Sequence, residues 1–118
     1  MASVVYLVPD LVFSSKIVEA AAELNVDVQG ARDAATLVAA AKGARLVVVD
    51  LRATEAFRAL EMLAAEPATS GEPSVGFVGH EHLDEMETAR ALGCGTVLAK
   101  GAFATQLPAL LRGATSTT

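Results

Sequence analysis

Apolar positions follow two alternating patterns along the chain. Short apolar runs rich in valine and leucine alternate with longer stretches in which apolar residues recur every three or four positions. The short runs are typical of strands buried on both faces, and the longer stretches predict amphipathic helices. The predicted strands cover residues 3–8, 26–29, 45–49, 74–78 and 96–99.

Helix signals fill the segments between these strands. The first predicted helix, Leu11–Leu24, is followed by Asn25, a residue that tolerates the left-handed conformation closing many helices. Asp33 is the predicted N-cap of a second helix that ends at Gly43, and a third covers residues 55–65.

Two further helices complete the pattern. The fourth carries Leu83, Met86 and Ala89 and ends at Gly93. For the fifth, which carries Leu107, Leu110 and Leu111, we predict Thr105 as the N-cap and Pro108 in the first turn. Five strands that alternate with five helices predict one α/β domain, residues 1–112, with a parallel sheet covered on both faces and a frayed tail at residues 113–118.

Composition and charge narrow the class of protein. The 118 residues are 53% apolar and 19% charged, which is typical of a single globular domain and excludes intrinsic disorder. The net charge of −5 argues against a nucleic-acid surface. No apolar run approaches the roughly 20 residues of a membrane helix, and no signal-peptide pattern is present. We therefore expect a cytoplasmic protein that binds neither nucleic acid nor membrane.

Charged residues follow the carboxyl ends of three predicted strands, where ligands bind in such sheets. They are Asp10, Asp50 and Lys100. Two carboxylates and a lysine suit phosphoryl transfer onto an aspartate, with the second acid helping to hold magnesium and the lysine compensating charge. The same residues also fit a purely structural arrangement, in which the aspartates cap helices and the lysine neutralises them. Spacing alone does not separate the two interpretations.

Over essentially its whole length, the sequence resembles the receiver domain of bacterial two-component response regulators. The similar segments are the first strand with Asp10, the VVVD run ending at Asp50, and ARALGCGTVLAKGAF at residues 89–103. The resemblance implies a flavodoxin-like fold with five parallel strands in the order 2-1-3-4-5. It also implies Asp50 as the phospho-acceptor, Asp10 and Asp50 as magnesium ligands, and Lys100 as the lysine that contacts the phosphoryl group.

The predicted site has a rim and a definite geometry. We expect Arg52, Gly79 and His80 to line its edge, and the amine of Lys100 to lie within ion-pair reach of Asp50. Because Arg52 adds a positive charge that competes for the carboxylates, we expect magnesium to bind weakly, with millimolar or poorer affinity.

The sequence departs from the receiver pattern at several positions that matter for switching. One acid, Asp10, stands where receivers usually carry two, and Gly79 replaces the serine or threonine after the fourth strand. Val97 replaces the aromatic residue of the fifth strand, and Gly101 replaces the proline after the lysine. These changes predict a degenerate, pseudo-receiver-like domain.

Other candidate chemistry is weaker. His80 and His82 form no HExxH motif and are expected to be solvated, and Cys94 is expected to be a buried thiol. The glycines form no phosphate-binding loop, so no nucleotide or flavin cofactor is expected.

Two classes of function stay open at this point, and a third interpretation is that the chain is a regulatory domain taken from a longer protein. The first is a signalling module acting through protein contacts, whose partner would be a histidine kinase, a downstream effector or a second copy of the chain. The resemblance places its docking face on the fourth helix, fifth strand and fifth helix, and at most Asp50 would undergo self-phosphorylation and dephosphorylation. The second is a small flavodoxin-like enzyme or binding protein that holds an anionic small molecule between Asp10, Asp50 and Lys100.

Overall fold

Strands and helices alternate without exception along the part of the chain that the computed structural model describes, residues 2–115. The elements are β1 (Val4–Leu7), α1 (Leu11–Leu24), β2 (Val28–Gly30), α2 (Ala34–Ala41), β3 (Leu46–Asp50), α3 (Ala56–Ala65), β4 (Ser74–Val78), α4 (Leu83–Ala91), β5 (Thr96–Ala99) and α5 (Lys100–Thr115).

The five strands form one parallel sheet in the order β2-β1-β3-β4-β5. The predicted fold class and strand order are therefore confirmed. Strand β3 lies at the centre, and all five of its residues are buried. None of the helices within residues 2–115 combines the length and apolar character needed to cross a membrane.

Alternating side chains of the sheet build two apolar layers. On one face, Val47 and Val49 belong to a cluster with residues of α2, α3 and α4. On the other, Leu46 and Val48 belong to a cluster with residues of α1 and α5. Burial on both faces explains why β3 reads as an uninterrupted apolar run rather than an alternating one.

The predicted helix boundaries of the first half are largely confirmed. Asp33 caps α2, since its carboxylate accepts the backbone N–H of Thr36 at 2.8 Å. Asn25 ends α1 with φ 56°, in the left-handed region. The backbone N–H of Val26 donates to the Ala21 carbonyl at 2.9 Å. Because that bond belongs to the end of the helix, β2 begins at Val28 and not at residue 26 as predicted.

The predicted start of the last helix is wrong. Helix α5 begins at Lys100, directly after β5, so Pro108 lies inside it rather than in its first turn. Thr105 is not the cap, because its hydroxyl donates to the Gly101 carbonyl one turn earlier. Burial of Phe103 and Leu107, four positions apart, places the apolar face of the helix a turn earlier than predicted.

The end of α5 also differs from the expected frayed tail. Ala114 is buried and the helix continues to Thr115, so residues 113–115 belong to it. The rest of the predicted tail, residues 116–118, lies outside the described residues.

Gly76 leaves room for two neighbouring side chains in the middle of the sheet. A Cβ atom at residue 76 would lie 2.8 Å from Cδ2 of Leu51 and 3.2 Å from Sγ of Cys94. Both neighbours are buried, as predicted for Cys94, and burial raises the pKa of the Cys94 thiol. The thiol therefore packs as a small apolar group.

Replacing Gly76 by alanine should lower the free energy of unfolding by about 1–2 kcal/mol, because Leu51 is too enclosed to move aside freely. Urea denaturation measures the change. The control is Gly71→Ala, where a new Cβ meets nothing within 4 Å and the change should stay within about 0.5 kcal/mol. Equal changes in the two variants would show that residue 76 is not sterically limited.

Candidate functional site

The predicted site residues lie at the carboxyl edge of the sheet. Asp50 ends β3, the strand between β1 and β4. Asp10 follows β1, Gly79 follows β4 and Lys100 follows β5. The fold thus places the four positions on one edge, and the side chains decide which of them interact.

Asp10 serves as the N-cap of α1. Its Oδ1 accepts the backbone N–H groups of Val12 and Phe13 at 2.9 and 3.3 Å, and its Oδ2 accepts the amine of Lys100 at 3.5 Å. The amide of Phe13 is the largest factor that lowers the pKa of the Asp10 carboxyl, followed by the Val12 amide and Lys100. Both oxygens of Asp10 are therefore engaged.

Lys100 turns toward Asp10 and not toward Asp50. Besides the 3.5 Å ion pair, its amine lies 5.1 Å from the ring centroid of Phe13, within the range of a cation–π contact. Among residues 2–115, no ion pair joins Lys100 to Asp50, so the expected contact is wrong. The reason is local, because Asp10 and Phe13 flank the amine from the same helix end.

An aromatic stack supports this position. Phe13 lies 5.3 Å from Phe77, and Phe77 lies 4.2 Å from Phe103, measured between ring centroids. Phe77 belongs to β4 and Phe103 to α5, so the stack joins α1, the sheet and α5 beside Lys100. Phe13 is a site residue that the sequence pattern did not indicate, although it lies three residues after the aspartate that caps α1.

Asp50 is almost completely enclosed, with a relative exposure of 4%. Its Oδ1 accepts the backbone N–H of Arg52 at 3.0 Å, which fixes the turn after β3. Its Oδ2 makes no hydrogen bond to any residue between 2 and 115. This oxygen keeps some contact with solvent. This oxygen is the uncommitted acceptor of the aspartate pair.

Arg52 contributes to the edge in a different way from the one expected. Its guanidinium donates to Glu85 Oε2 at 2.9 Å, and this bond is the largest factor lowering the pKa of Glu85. Glu85 also lies 3.1 Å from the ring of His82. The Arg52 side chain therefore pairs with α4, and only its backbone serves Asp50.

The loop after β4 brings an additional carboxylate to the edge. Glu81 folds back over Gly79, so that a Cβ atom at residue 79 would overlap with Glu81 Oε1. His80 points into solvent with a side-chain exposure of 90%. Glu81 was not among the predicted site residues, since nothing in an HEH tripeptide shows which way its central side chain turns.

Few carboxylate oxygens of Asp10 and Asp50 are free of hydrogen bonds. Magnesium requires several oxygen ligands in octahedral geometry. Of the four carboxylate oxygens of Asp10 and Asp50, three already accept hydrogen bonds. Within residues 2–115, no group of three or more His, Cys, Asp or Glu residues is arranged to hold a metal ion.

The fold is that of response regulator receiver domains. The receiver domain of NtrX from Brucella abortus superimposes with a TM-score of 0.79 at 17% identity, covering 98% of this chain and 99% of that one. CheY4 of Vibrio cholerae gives a TM-score of 0.78 at 16% identity, covering 97% and 98%. A putative response regulator from Chloroflexus aurantiacus gives 0.81 at 10% identity, covering 96% of both chains.

Longer proteins contain the same fold as one part. The chain covers 26% of the longer NtrX chain from Brucella abortus, at 18% identity and a TM-score of 0.78. By sequence, it matches no protein-family profile and no curated protein. At these identities the likeness is one of fold alone.

Replacing Lys100 by glutamine should raise the pKa of Asp10 only part of the way to its ordinary value of 3.8, because the amide of Phe13 still stabilises the carboxylate. Titration of the Asp10 carboxyl carbon by NMR measures this. Lys16→Gln, on the exposed side of α1, is the control and should leave the pKa unchanged. Complete return to 3.8 would assign the whole effect to Lys100.

The same carboxyl makes stability depend on pH. Since folding lowers the pKa of Asp10, its stabilising effect is complete above the ordinary value and is lost as the pH falls through the folded value. The difference in urea midpoint between wild type and Asp10→Asn should therefore shrink from about pH 6 to about pH 2.5. A difference that is constant over this range would contradict the assignment.

Proposed function

We propose that this chain is a receiver-like signalling module that acts through protein contacts, with Asp50 at the phospho-acceptor position of a degenerate site. The observation that carries the proposal is the placement of Asp50. Asp50 ends the central strand of a receiver fold, on the edge that also carries Asp10 and Lys100. Its Oδ2 makes no hydrogen bond within the described residues.

Three features argue that Asp50 is a poor acceptor. Asp10 and Lys100 neutralise each other instead of serving an incoming phosphoryl group. Gly79 offers no hydroxyl, and the Glu81 carboxylate fills the space beside it. The negative charge of Glu81 at that position repels a phosphoryl group, because the Coulomb repulsion between like charges is strongest at short distance.

Acetyl phosphate with magnesium tests the acceptor. Attack by Oδ2 of Asp50 on phosphorus would form an acyl phosphate and release acetate. We expect less than about one-tenth of the chain to gain the mass of a phosphoryl group, because the ligand set is incomplete. Intact-mass spectrometry measures the gain.

Two aspartate variants make this result specific. Asp50→Asn removes the acceptor, whereas Asp84→Asn removes an exposed acid of α4 and serves as the control. A stoichiometric gain that disappears only in Asp50→Asn would establish a working acceptor and would contradict the degenerate part of the proposal.

The proposed docking face consists of α4, β5 and α5. Strand β5 is an edge of the sheet, paired only with β4. On α4, Leu83, Glu87 and Arg90 are all exposed, and their spacing places them on one side of the helix. An exposed leucine between charged residues and an open strand edge is a surface that suits a protein partner. A histidine kinase, a downstream effector or a second copy of the chain would dock here.

The output side of the site lacks a means of responding to Asp50. Val97 of β5 is half-buried against the core and has no ring that could change position. A modification shifts an equilibrium only when it stabilises two states differently. We therefore propose a docking face whose conformation is set without phosphorylation.

Charge reversal on the face, Glu87→Arg with Arg90→Glu, should weaken self-association or partner binding at least tenfold. Asp50→Asn should change it by less than about a factor of three, or roughly 0.7 kcal/mol. Sedimentation equilibrium and pull-down experiments measure the two effects.

A matched control reverses charges elsewhere. Lys16→Glu with Glu19→Lys also preserves the net charge and has the same spacing, but lies on α1. Binding that depends on Asp50 and not on Glu87 and Arg90 would show that the domain still switches.

A further inference from the structure

A cavity that is lined by neither Asp10 nor Lys100 opens at the carboxyl edge of the sheet. Its volume is about 470 Å³, and it is bounded by the connections that follow β1, β2 and β3. Strand β1 has β2 on one side and β3 on the other, so this is the point at which the strand order reverses. Ligands of open parallel sheets bind in this crevice. The volume lies within the range of small-molecule sites.

The walls of the cavity are mainly apolar. They include Leu7, Val8, Pro9, Ala31 and Ala53. Leu11 also lines the cavity and is 81% exposed. No other large apolar side chain within residues 2–115 is more exposed. A ligand with an apolar body would cover this leucine, which otherwise costs free energy in water.

Tyr6 presents an unused hydroxyl to the same space. Its ring lies against Gly30, where an added Cβ would approach the ring carbon Cζ to 3.0 Å and the hydroxyl oxygen to 3.1 Å. The phenol makes no hydrogen bond to another residue of the described range. The absence of a side chain at Gly30 thus makes room for the Tyr6 ring at the cavity, and its hydroxyl is available to a ligand.

The cavity is lined by one cation, Arg32, and one carboxylate, Glu55. Glu55 is already engaged, because its Oε1 accepts the backbone N–H of Ala34 at 2.7 Å. Arg32 has neither an ion pair nor a hydrogen bond within residues 2–115. A guanidinium with free donors beside an apolar cavity recognises carboxylate, sulfonate or phosphate oxygens.

We infer that this cavity binds one small organic anion, with a flat apolar body against Tyr6 and Leu11 and its acidic group on Arg32. The site is separate from Asp50, which does not line the cavity. The net charge of −5 disfavours non-specific uptake of anions, so the contact with Arg32 provides the selectivity.

A pair of related dyes tests the inference on the intact chain. The probe is 8-anilinonaphthalene-1-sulfonate, and N-phenyl-1-naphthylamine is its uncharged counterpart with the same aromatic body. We expect both to bind saturably at one site in fluorescence titrations. Arg32→Gln should weaken the sulfonate at least fivefold and leave the uncharged dye within a factor of two.

Two further variants separate charge from shape. Arg90→Gln removes an exposed arginine of α4, outside the cavity, and should leave the affinity for both dyes unchanged. Ser14→Phe places a ring at the cavity wall and should weaken both dyes, with circular dichroism showing that the variant is folded. Amide shifts on addition of the sulfonate should be largest for Tyr6, Gly30 and Ala31.

Three results would overturn the inference. One is the absence of saturable dye binding up to about millimolar concentration, which corresponds to only about 4 kcal/mol of binding free energy. Another is an equal loss of sulfonate affinity in Arg32→Gln and Arg90→Gln. The third is a set of amide shifts centred on the separate groove beside Phe57 and Thr88.

Discussion

Burial of β3 on both faces is the constraint from which the rest of the molecule follows. A strand whose five residues are all enclosed needs a helical layer on each side and a paired strand along each edge. The apolar run of β3 ends in a carboxylate, so Asp50 lies at the carboxyl edge of the sheet although only 4% of it is exposed. The strands on either side of β3 are β1 and β4, so the loops after these two strands lie beside Asp50. The fold and the site are thus two results of one buried strand.

The charge pattern at this edge is decided by where each side chain finds its nearest partner. Lys100, at the start of α5, lies beside Asp10 and the ring of Phe13 at the start of α1. Its charge therefore stabilises the contact between these two helices. Arg52 reaches α4 through Glu85. Neither cation contacts the carboxylate of Asp50. The edge has the residue types of a phosphoryl-transfer site, but Lys100 and Arg52 form contacts with helices and not with Asp50.

Sequence patterns predicted the features that depend on neighbours along the chain. The burial of β3, the cap at Asp33 and the left-handed Asn25 follow from local periodicity and backbone preference, and all three are present. The start of α5 was missed because Thr105 and Pro108 resemble a helix beginning, whereas the burial of Phe103 extends the helix upstream. The partner of Arg52 lies 33 positions away, and the turn of Glu81 over Gly79 depends on a loop conformation. Such contacts arise only when the fold is complete.

The absence of a side chain at Gly76 affects the reactivity of Cys94. The thiol fits into the space beside Gly76, and burial raises its pKa, so that little of it is thiolate near neutral pH. Thiolate is the form that reacts with oxidants, alkylating reagents and disulfides. As the only cysteine of the chain, it is protected while β4 and its neighbours stay closed. The rate at which the thiol reacts therefore reports how often this part of the sheet opens, so Cys94 is an intrinsic probe of local unfolding.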